Sequence, residues 1–282
     1  MGAPLDTIGA FLELPPPSWE TAAAWRRDIE VLLGHVCGLS RAEIMAHPER
    51  TVPKSQSQSL SDLTERRRRG EPVAYLTCTR SFWSLELRVS PETLVPRPET
   101  ECLVALALTR IDPDSPQRVA DIGTGCGAIA LALARERAQT RVVATDVSVT
   151  ALGVARRNAE TNQCEIEFLQ GKGTDPLLGQ FDVIVSNPPY IAMGDPCLRG
   201  PDLSFEPAIA LTGGPDGLDV IRQIAFGART KLRPGGWLML EHGATQRSGI
   251  VDLLRRYGYT EIEGHPDLSG LPRLVSAMWW PA

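Results

Sequence analysis

The chain has 282 residues and a formal net charge of -5, with 29 Lys and Arg against 34 Asp and Glu. That length is comfortable for two domains and can bury a real core, while the acidic balance argues against a protein held to a long nucleic acid by charge. The six cysteines include no C-x-x-C pair and the four histidines do not cluster near them, so neither a disulfide framework nor a metal site is expected. Met1 to Phe11 lack a positive stretch leading into an apolar run, and no apolar segment approaches the ~18 residues that cross a bilayer. The expectation is a soluble, reduced, cytoplasmic monomer with no membrane partner.

Residues 1–76 read as a small helical domain. Ser18 caps a segment from Trp19 toward Cys37, in which Ala22, Trp25, Ile29, Leu32, Leu33 and Val36 recur at helical spacing and Gly38 is the stop. Ser40-Arg41-Ala42-Glu43 is a capping box opening a short helix. A third segment from about Ser57 carries Leu60 and Leu63 and ends in Arg66-Arg67-Arg68-Arg69-Gly70. The arginine run is expected to be a solvated helix end whose cations suit the C-terminal dipole; contact with an acidic partner face or ribosomal RNA is the alternative.

From Glu71 the pattern changes. Phe82 to Val89 alternates with period two and reads as one strand of a linker hairpin, placed at 77–95. In Leu94-Val95-Pro96-Arg97-Pro98-Glu99-Thr100-Glu101, two prolines fix where the Arg97 guanidinium points, and a helix begins near Thr100. After Asp112, strands at Arg118–Asp121, Arg141–Asp146, Glu165–Gln170, Phe181–Ser186, Trp237–His242 and Leu274–Trp279 alternate with helices. These are Ala128–Arg137, Thr150–Asn162, Leu218–Lys231 and Gln246–Tyr257. That order predicts an α/β domain, 96–282, built on a doubly wound parallel sheet. Arg233-Pro234-Gly235-Gly236 reads as a turn entering a strand.

Asp121-Ile122-Gly123-Thr124-Gly125-Cys126-Gly127 lies between the first strand of this sheet and its helix. Glycines there let the backbone turn tightly and approach a ligand, and the helix start offers free N–H groups. Asp146, ending the second strand, can accept from both hydroxyls of a ribose. Nicotinamide and S-adenosylmethionine enzymes share this pairing, and Ala128 completes a G-x-G-x-x-A pattern, so the loop alone does not choose between them. The opening acid Asp121 suits a nearby donor such as a cofactor amino group.

Asn187-Pro188-Pro189-Tyr190 follows the buried-looking run Phe181 to Ser186. The prolines have no backbone N–H, so the segment presents carbonyl acceptors on a stiff loop, with the Asn187 amide and the Tyr190 ring beside them. Such a site suits a planar nitrogen carrying hydrogens, an amide or an exocyclic amine. In a sheet ordered 3-2-1-4-5, strands one and four are neighbours, so a methyl donor over the glycine loop would face that nitrogen.

With these motifs in place the chain resembles the bacterial peptide chain release factor glutamine N5-methyltransferases, the HemK/PrmC family. The likeness runs through Arg27 to Leu33, Arg68-Arg69-Gly70-Glu71-Pro72, Phe82-Trp83-Ser84-Leu85 and Pro96 to Glu101. It continues in Asp121 to Gly125, Asn187 to Ile191, Phe205-Glu206-Pro207 and Glu241-His242-Gly243. The resemblance implies a helical N-terminal domain, a hairpin linker and a seven-stranded Rossmann-like methyltransferase sheet. It further implies S-adenosylmethionine as cofactor and, as substrate, the glutamine of the Gly-Gly-Gln loop in class I release factors. Asp121, Gly123, Thr124, Gly125, Cys126, Gly127, Asp146, Lys172 and Asn187 are then expected at the cofactor. Asn187, Pro188, Pro189, Tyr190, Arg97 and Glu206 are expected at the substrate, with Asn187, Pro188 and Tyr190 carrying the chemistry. The family often has Asp followed by Trp after the third strand, where this chain has Gly171-Lys172-Gly173; Asp175 is the candidate stand-in at the adenine. Ribosomal protein L3 glutamine, nucleic acid adenine and, more distantly, nicotinamide chemistry are the alternative readings. His242 is read as structural.

Overall fold

The computed structural model describes residues 6–201 and 203–281. The opening residues of the expected 1–76 helical domain, 1–5, and of the leader reading lie outside that range. The chain forms two compact units. The first runs to Cys78 and also takes in Arg199–Phe205; the second comprises Thr79–Leu198 and the chain from Glu206 onward. No helix among the described residues is long and apolar enough to cross a membrane.

The first unit contains α1 (Ile8–Leu12), α2 (Ala22–Cys37), α3 (Arg41–Ala46), α4 (Lys54–Arg68) and α5 (Val73–Thr77). Trp25, Ile29, Leu32 and Leu33 of α2 are buried against Phe11, Ile44 and Leu60. Burying each such side chain stabilises the unit by about 1.5–3 kcal/mol. The start of α2 differs from the sequence expectation. Thr21, not Ser18, is the cap, its side chain accepting from the Ala24 amide, so Trp19 and Glu20 precede the helix. Gly38 ends it in the left-handed region, and the Ser40–Glu43 capping box forms as the spacing predicts.

The arginine run is not a uniformly solvated helix end. Leu60, Thr64 and Arg67 form the buried stripe of α4, and Arg67 is only 5% exposed. Its guanidinium meets Asp28 at 2.7 Å and Glu20 at 3.2 Å and lies 4.7 Å from the Trp19 ring centroid. Arg68 covers Trp25 and donates to the Pro15 carbonyl, while Arg66, paired with Glu71, and Arg69, facing Glu65, are the exposed members of the run. The run ties α2 and the segment before it to α4. Arg67→Met should destabilise this unit by about 2 kcal/mol, below the range for a fully buried pair because both carboxylates reach solvent. Arg69→Ala should change stability by less than about 0.5 kcal/mol. Denaturant midpoints of the two variants check this; equal midpoints would contradict it.

The second unit opens with the hairpin β1 (Thr79–Phe82) and β2 (Leu85–Arg88), followed by α6 (Thr100–Leu108). The expected single strand over Phe82 to Val89 is instead broken. Trp83, with φ at 56°, and Ser84 form the reversal, and Phe82 pairs with Leu85. Asn158 accepts from the Arg88 amide at 2.8 Å and donates to its carbonyl at 2.9 Å, extending β2 by side-chain hydrogen bonds.

Then come β3 (Arg118–Ile122), α7 (Ala128–Glu136), β4 (Arg141–Asp146), α8 (Val149–Thr161), β5 (Ile166–Gln170) and β6 (Phe181–Ser186). The chain continues with α9 (Ala208–Leu211), α10 (Asp219–Ala228), β7 (Leu232–Glu241), α11 (Arg247–Arg256), β8 (Tyr259–Pro266) and β9 (Pro272–Trp279). The sheet order is β5-β4-β3-β6-β7-β9-β8. Strands β5 to β7 are mutually parallel, so helices cover both faces and β6 is buried at every position.

The sheet is not wholly parallel as expected. β9 runs antiparallel to both β7 and β8, and β8 is a strand the sequence pattern did not reveal. Arg233-Pro234-Gly235-Gly236 is not a turn before the strand but a bulge within β7, whose pairing with β6 jumps from Leu232 to Trp237.

Candidate active site

β3 and β6 are adjacent at the centre of the sheet, which brings their carboxyl-end loops together, the place where open α/β sheets hold ligands. Ser186 fixes the junction by donating its hydroxyl to the Ile122 carbonyl at 2.7 Å. The glycine loop is anchored to β4: the amides of Gly123 and Thr124 both donate to the Thr145 carbonyl, at 2.8 and 2.9 Å. Gly123 and Gly125 have φ of 73° and 57°, and a side chain added at either would point into open space. Strain of the left-handed backbone, rather than crowding, is what favours glycine there.

Beneath the loop sits Asp121, fully buried. One carboxyl oxygen accepts from the Thr124 hydroxyl at 2.6 Å and the Ala130 amide at 3.2 Å; the other has no partner. Burial pushes its carboxyl up to about 7. Asp121 therefore braces the loop and the start of α7 from below rather than facing the cavity above them. Cys126 is buried too, its thiol pushed up to about 12 by desolvation.

The cavity between the loops measures about 370 Å³. Gly123, Thr124, Gly125 and Cys126 form one wall and Asn187, Pro188 and Pro189 another; Asp146, Ser148 and Lys172 also line it. Asp146 accepts from the Gly125 amide through one oxygen and the Ser148 amide through the other, each at 2.9 Å. Each oxygen keeps a second lone pair. Gly127, whose left-handed backbone caps α7, lies behind this wall.

The remaining expected residues are not on the cavity wall. Asp175 is exposed and does not line it. Arg97 pairs with Glu206, which is buried and also accepts from the Val95 amide at 3.1 Å. This pair holds the segment that leads into α6. Tyr190 packs its ring on the core and points its hydroxyl at Glu241, 3.4 Å away, with burial raising the phenol to about 12. His242 is buried, its Nδ1 against the Gly243 carbonyl at 2.8 Å, and burial lowers its affinity for a proton.

Two residues that the sequence analysis did not place at the site support Asn187: Thr100, which also lines the cavity, and Glu241 behind it. The Asn187 side-chain amino group donates to the Thr100 hydroxyl at 3.0 Å, and Thr100 donates to Glu241 at 2.8 Å. Glu241 is 1% exposed, and burial pushes its carboxyl up to about 7. An acid closing the apolar run Leu238-Met239-Leu240 was the available signal. No group of His, Cys, Asp or Glu arranged to hold a metal ion occurs among the described residues.

A mixed seven-stranded sheet with a glycine loop over one central strand and an amide-bearing Pro-Pro loop over the next is the arrangement of a methyltransferase. The comparisons agree. Residues 20–77 match the family model "PrmC N-terminal domain" and residues 103–196 match "Methyltransferase small domain". A release factor glutamine methyltransferase of Xylella fastidiosa (strain Temecula1) is 47% identical, the match covering 93% of this chain and 98% of the relative. One of Salmonella typhimurium is also 47% identical, over 91% of this chain and 93% of its own. Among solved structures, a methyltransferase from Pyrococcus furiosus shares the fold with a TM-score of 0.56 at 20% identity, over 77% of this chain and all (100%) of that one. The chain belongs to the release factor glutamine methyltransferase family.

Proposed function

We propose that this protein transfers a methyl group from S-adenosylmethionine to the side-chain amide nitrogen of the glutamine in the Gly-Gly-Gln motif of class I peptide chain release factors. The observation that carries the reading is that the Gly123–Cys126 backbone and the Asn187–Pro188 acceptors wall the same cavity. The names of the relatives supply the substrate. In this reading residues 96–282 carry the chemistry, and residues 1–76 and the hairpin segment 77–95 are accessory to it.

The residues present fit the cofactor. Its volume suits a pocket of several hundred Å³, Gly123 and Gly125 offer bare backbone, and the free lone pairs of Asp146 suit ribose hydroxyls. Ile129, Val147 and Ala151 give apolar wall for a flat base, and Lys172 stands where the family often places an acid. When bound, the sulfonium supplies an electrophilic methyl group.

The protein's own task is to hold the nucleophile. A glutamine amide nitrogen is weak because its lone pair is delocalised into the carbonyl. Donating its two N–H groups to the Asn187 side-chain oxygen and the Pro188 carbonyl orients it and favours a pyramidal nitrogen. The nitrogen needs no strong base beforehand; as it gains carbon it becomes acidic and loses one proton to water. Positioning supplies most of the rate. Pro189 keeps the loop stiff, and Arg97 with Glu206 fixes the approach to it.

Asp146→Ala should weaken cofactor binding by about 10- to 100-fold, since a charge-assisted hydrogen bond contributes about 1.5–3 kcal/mol. Titration calorimetry measures this, and unchanged affinity would remove Asp146 from the ribose. The function itself is tested by incubating the protein with radiolabelled cofactor, purified release factor, ribosomal protein L3 and duplex DNA in separate reactions. Label in the release factor is expected; label only in L3 or DNA would overturn the substrate.

A further inference from the structure

We propose that Glu241 is a positioning residue that, through Thr100, fixes which face of the Asn187 amide meets the substrate. The inference rests on the glutamine methyltransferase reading and deepens it.

Hydrogen-bond direction sets the orientation of the Asn187 amide. An ionised carboxylate can only accept. Glu241 is buried and receives the Thr100 hydroxyl on one oxygen and the Tyr190 hydroxyl on the other. Thr100 has a single hydroxyl proton, and it is committed to Glu241. Its oxygen is thereby left as an acceptor toward Asn187, so the Asn187 amino group must turn to Thr100. The carbonyl oxygen of the same amide is what remains for the cavity that Asn187 lines. A substrate amide nitrogen needs an acceptor there; an amino group would repel its N–H and leave the lone pair misaimed. Glu241 thus holds Asn187 in the productive orientation without touching the reacting atoms.

Protonation of Glu241 lifts the constraint. The acid can then donate to Thr100, whose own proton becomes free to bond the Asn187 carbonyl, and the amino face can turn into the cavity. The groups facing Glu241 set where this happens. From the start of α6 come Glu99 and Cys102, from the loop after β6 comes Tyr190, and from β9 comes Arg273, itself paired with Asp267 at 3.3 Å. His242 is its chain neighbour. Burial raises the Glu241 carboxyl to about 7, against the opposing pull of the Arg273 cation. The methyl transfer step is therefore expected to rise with pH through that region and level off above it.

The experiment measures single-turnover methylation of a release factor by the full chain across about pH 6 to 9, with cofactor affinity measured alongside. Wild type should show a limb near pH 7. In Glu241→Gln the limb should vanish, because the amide at 241 does not titrate and its oxygen can still accept from Thr100. Thr100→Val, which removes the relay but keeps the shape, should slow transfer at least about tenfold at every pH with cofactor affinity unchanged, and Thr100→Ser should restore it. Arg273→Gln should move the limb to higher pH, since the cation favouring the ionised acid is gone. A wild-type limb that persists in Glu241→Gln, or full activity in Thr100→Val, overturns the inference while leaving the methyltransferase reading intact. Absence of transfer to the release factor by wild type at any pH overturns both.

Discussion

Asn187→Ala is expected to lower methyl transfer to the release factor by at least about 10²-fold while leaving cofactor affinity within a factor of about two. The asymmetry follows from where the side chain sits. Asn187 reaches the glycine loop's cavity from the β6 side, and its amino group is tied to Thr100 rather than to the loop. Truncation therefore removes the acceptor for the substrate amide and leaves the Gly125–Asp146 wall intact. Because an amide nitrogen is a poor nucleophile, losing its orientation affects the turnover step more than binding. Single-turnover rates with saturating cofactor, together with calorimetry, separate the two. Near wild-type turnover would remove Asn187 from the chemistry.

Asp121→Asn should change how folding stability depends on pH. The carboxyl has one unpaired oxygen in a fully buried position, so burial disfavours its charged form and raises it from 3.8 to about 7 in the folded protein. Stability contributed by such a group is fully present below its unfolded value and is lost as pH rises through about 7. A shift of this size corresponds to about 4 kcal/mol between the ends of that window. The amide in Asp121→Asn does not titrate, yet its oxygen can still accept from Thr124 and the Ala130 amide. The variant should thus lose less stability than wild type between about pH 4 and pH 8, as measured by denaturant unfolding at both ends. Parallel pH profiles for the two proteins would contradict the assignment. A small acid in this place is consistent with its bracing role: it holds the loop from beneath at a cost that grows with pH.

The parts of the site legible in the sequence are those carried by consecutive residues. Asn187 to Tyr190 and Gly123 to Gly127 each end a strand read from an apolar run, and the strand order places them side by side. Local patterns also announced the Ser40–Glu43 capping box and the helices flanking the sheet. What escaped depended on distance along the chain. Thr100 and Glu241 are 141 residues apart, and nothing near either shows that they share a hydrogen bond. β8 is an edge strand bearing Thr260, Glu261, Glu263 and His265, so one of its sides meets water and its apolar content is too low to read. The Trp83 reversal lacks the Gly or Asn that marks most tight turns. Arg67 was hidden by its neighbours: in a run of four arginines only the spacing Leu60, Thr64, Arg67 distinguishes the buried one, and the hydrophobic pattern does not count an arginine.

The buried carboxyls also divide the site's labour. Asp121 supports the glycine loop, the pair of Arg97 with Glu206 holds the approach to α6, and Glu241 stands behind Thr100, Asn187 and Tyr190. Asp146, only half-buried, lines the cavity instead. Charge is thus spent mostly on fixing backbone and donor direction, in keeping with chemistry that asks for orientation rather than a strong base.

The proposed reaction places the methyl group on a protein glutamine nitrogen. Its most direct measurement is tandem mass spectrometry of the Gly-Gly-Gln peptide from a class I release factor after incubation with this protein and S-adenosylmethionine. One added methyl is expected, located on the glutamine side chain and missing when Asn187→Ala replaces the wild-type protein. An unmodified glutamine, or a methyl on any other residue of the factor, would contradict it.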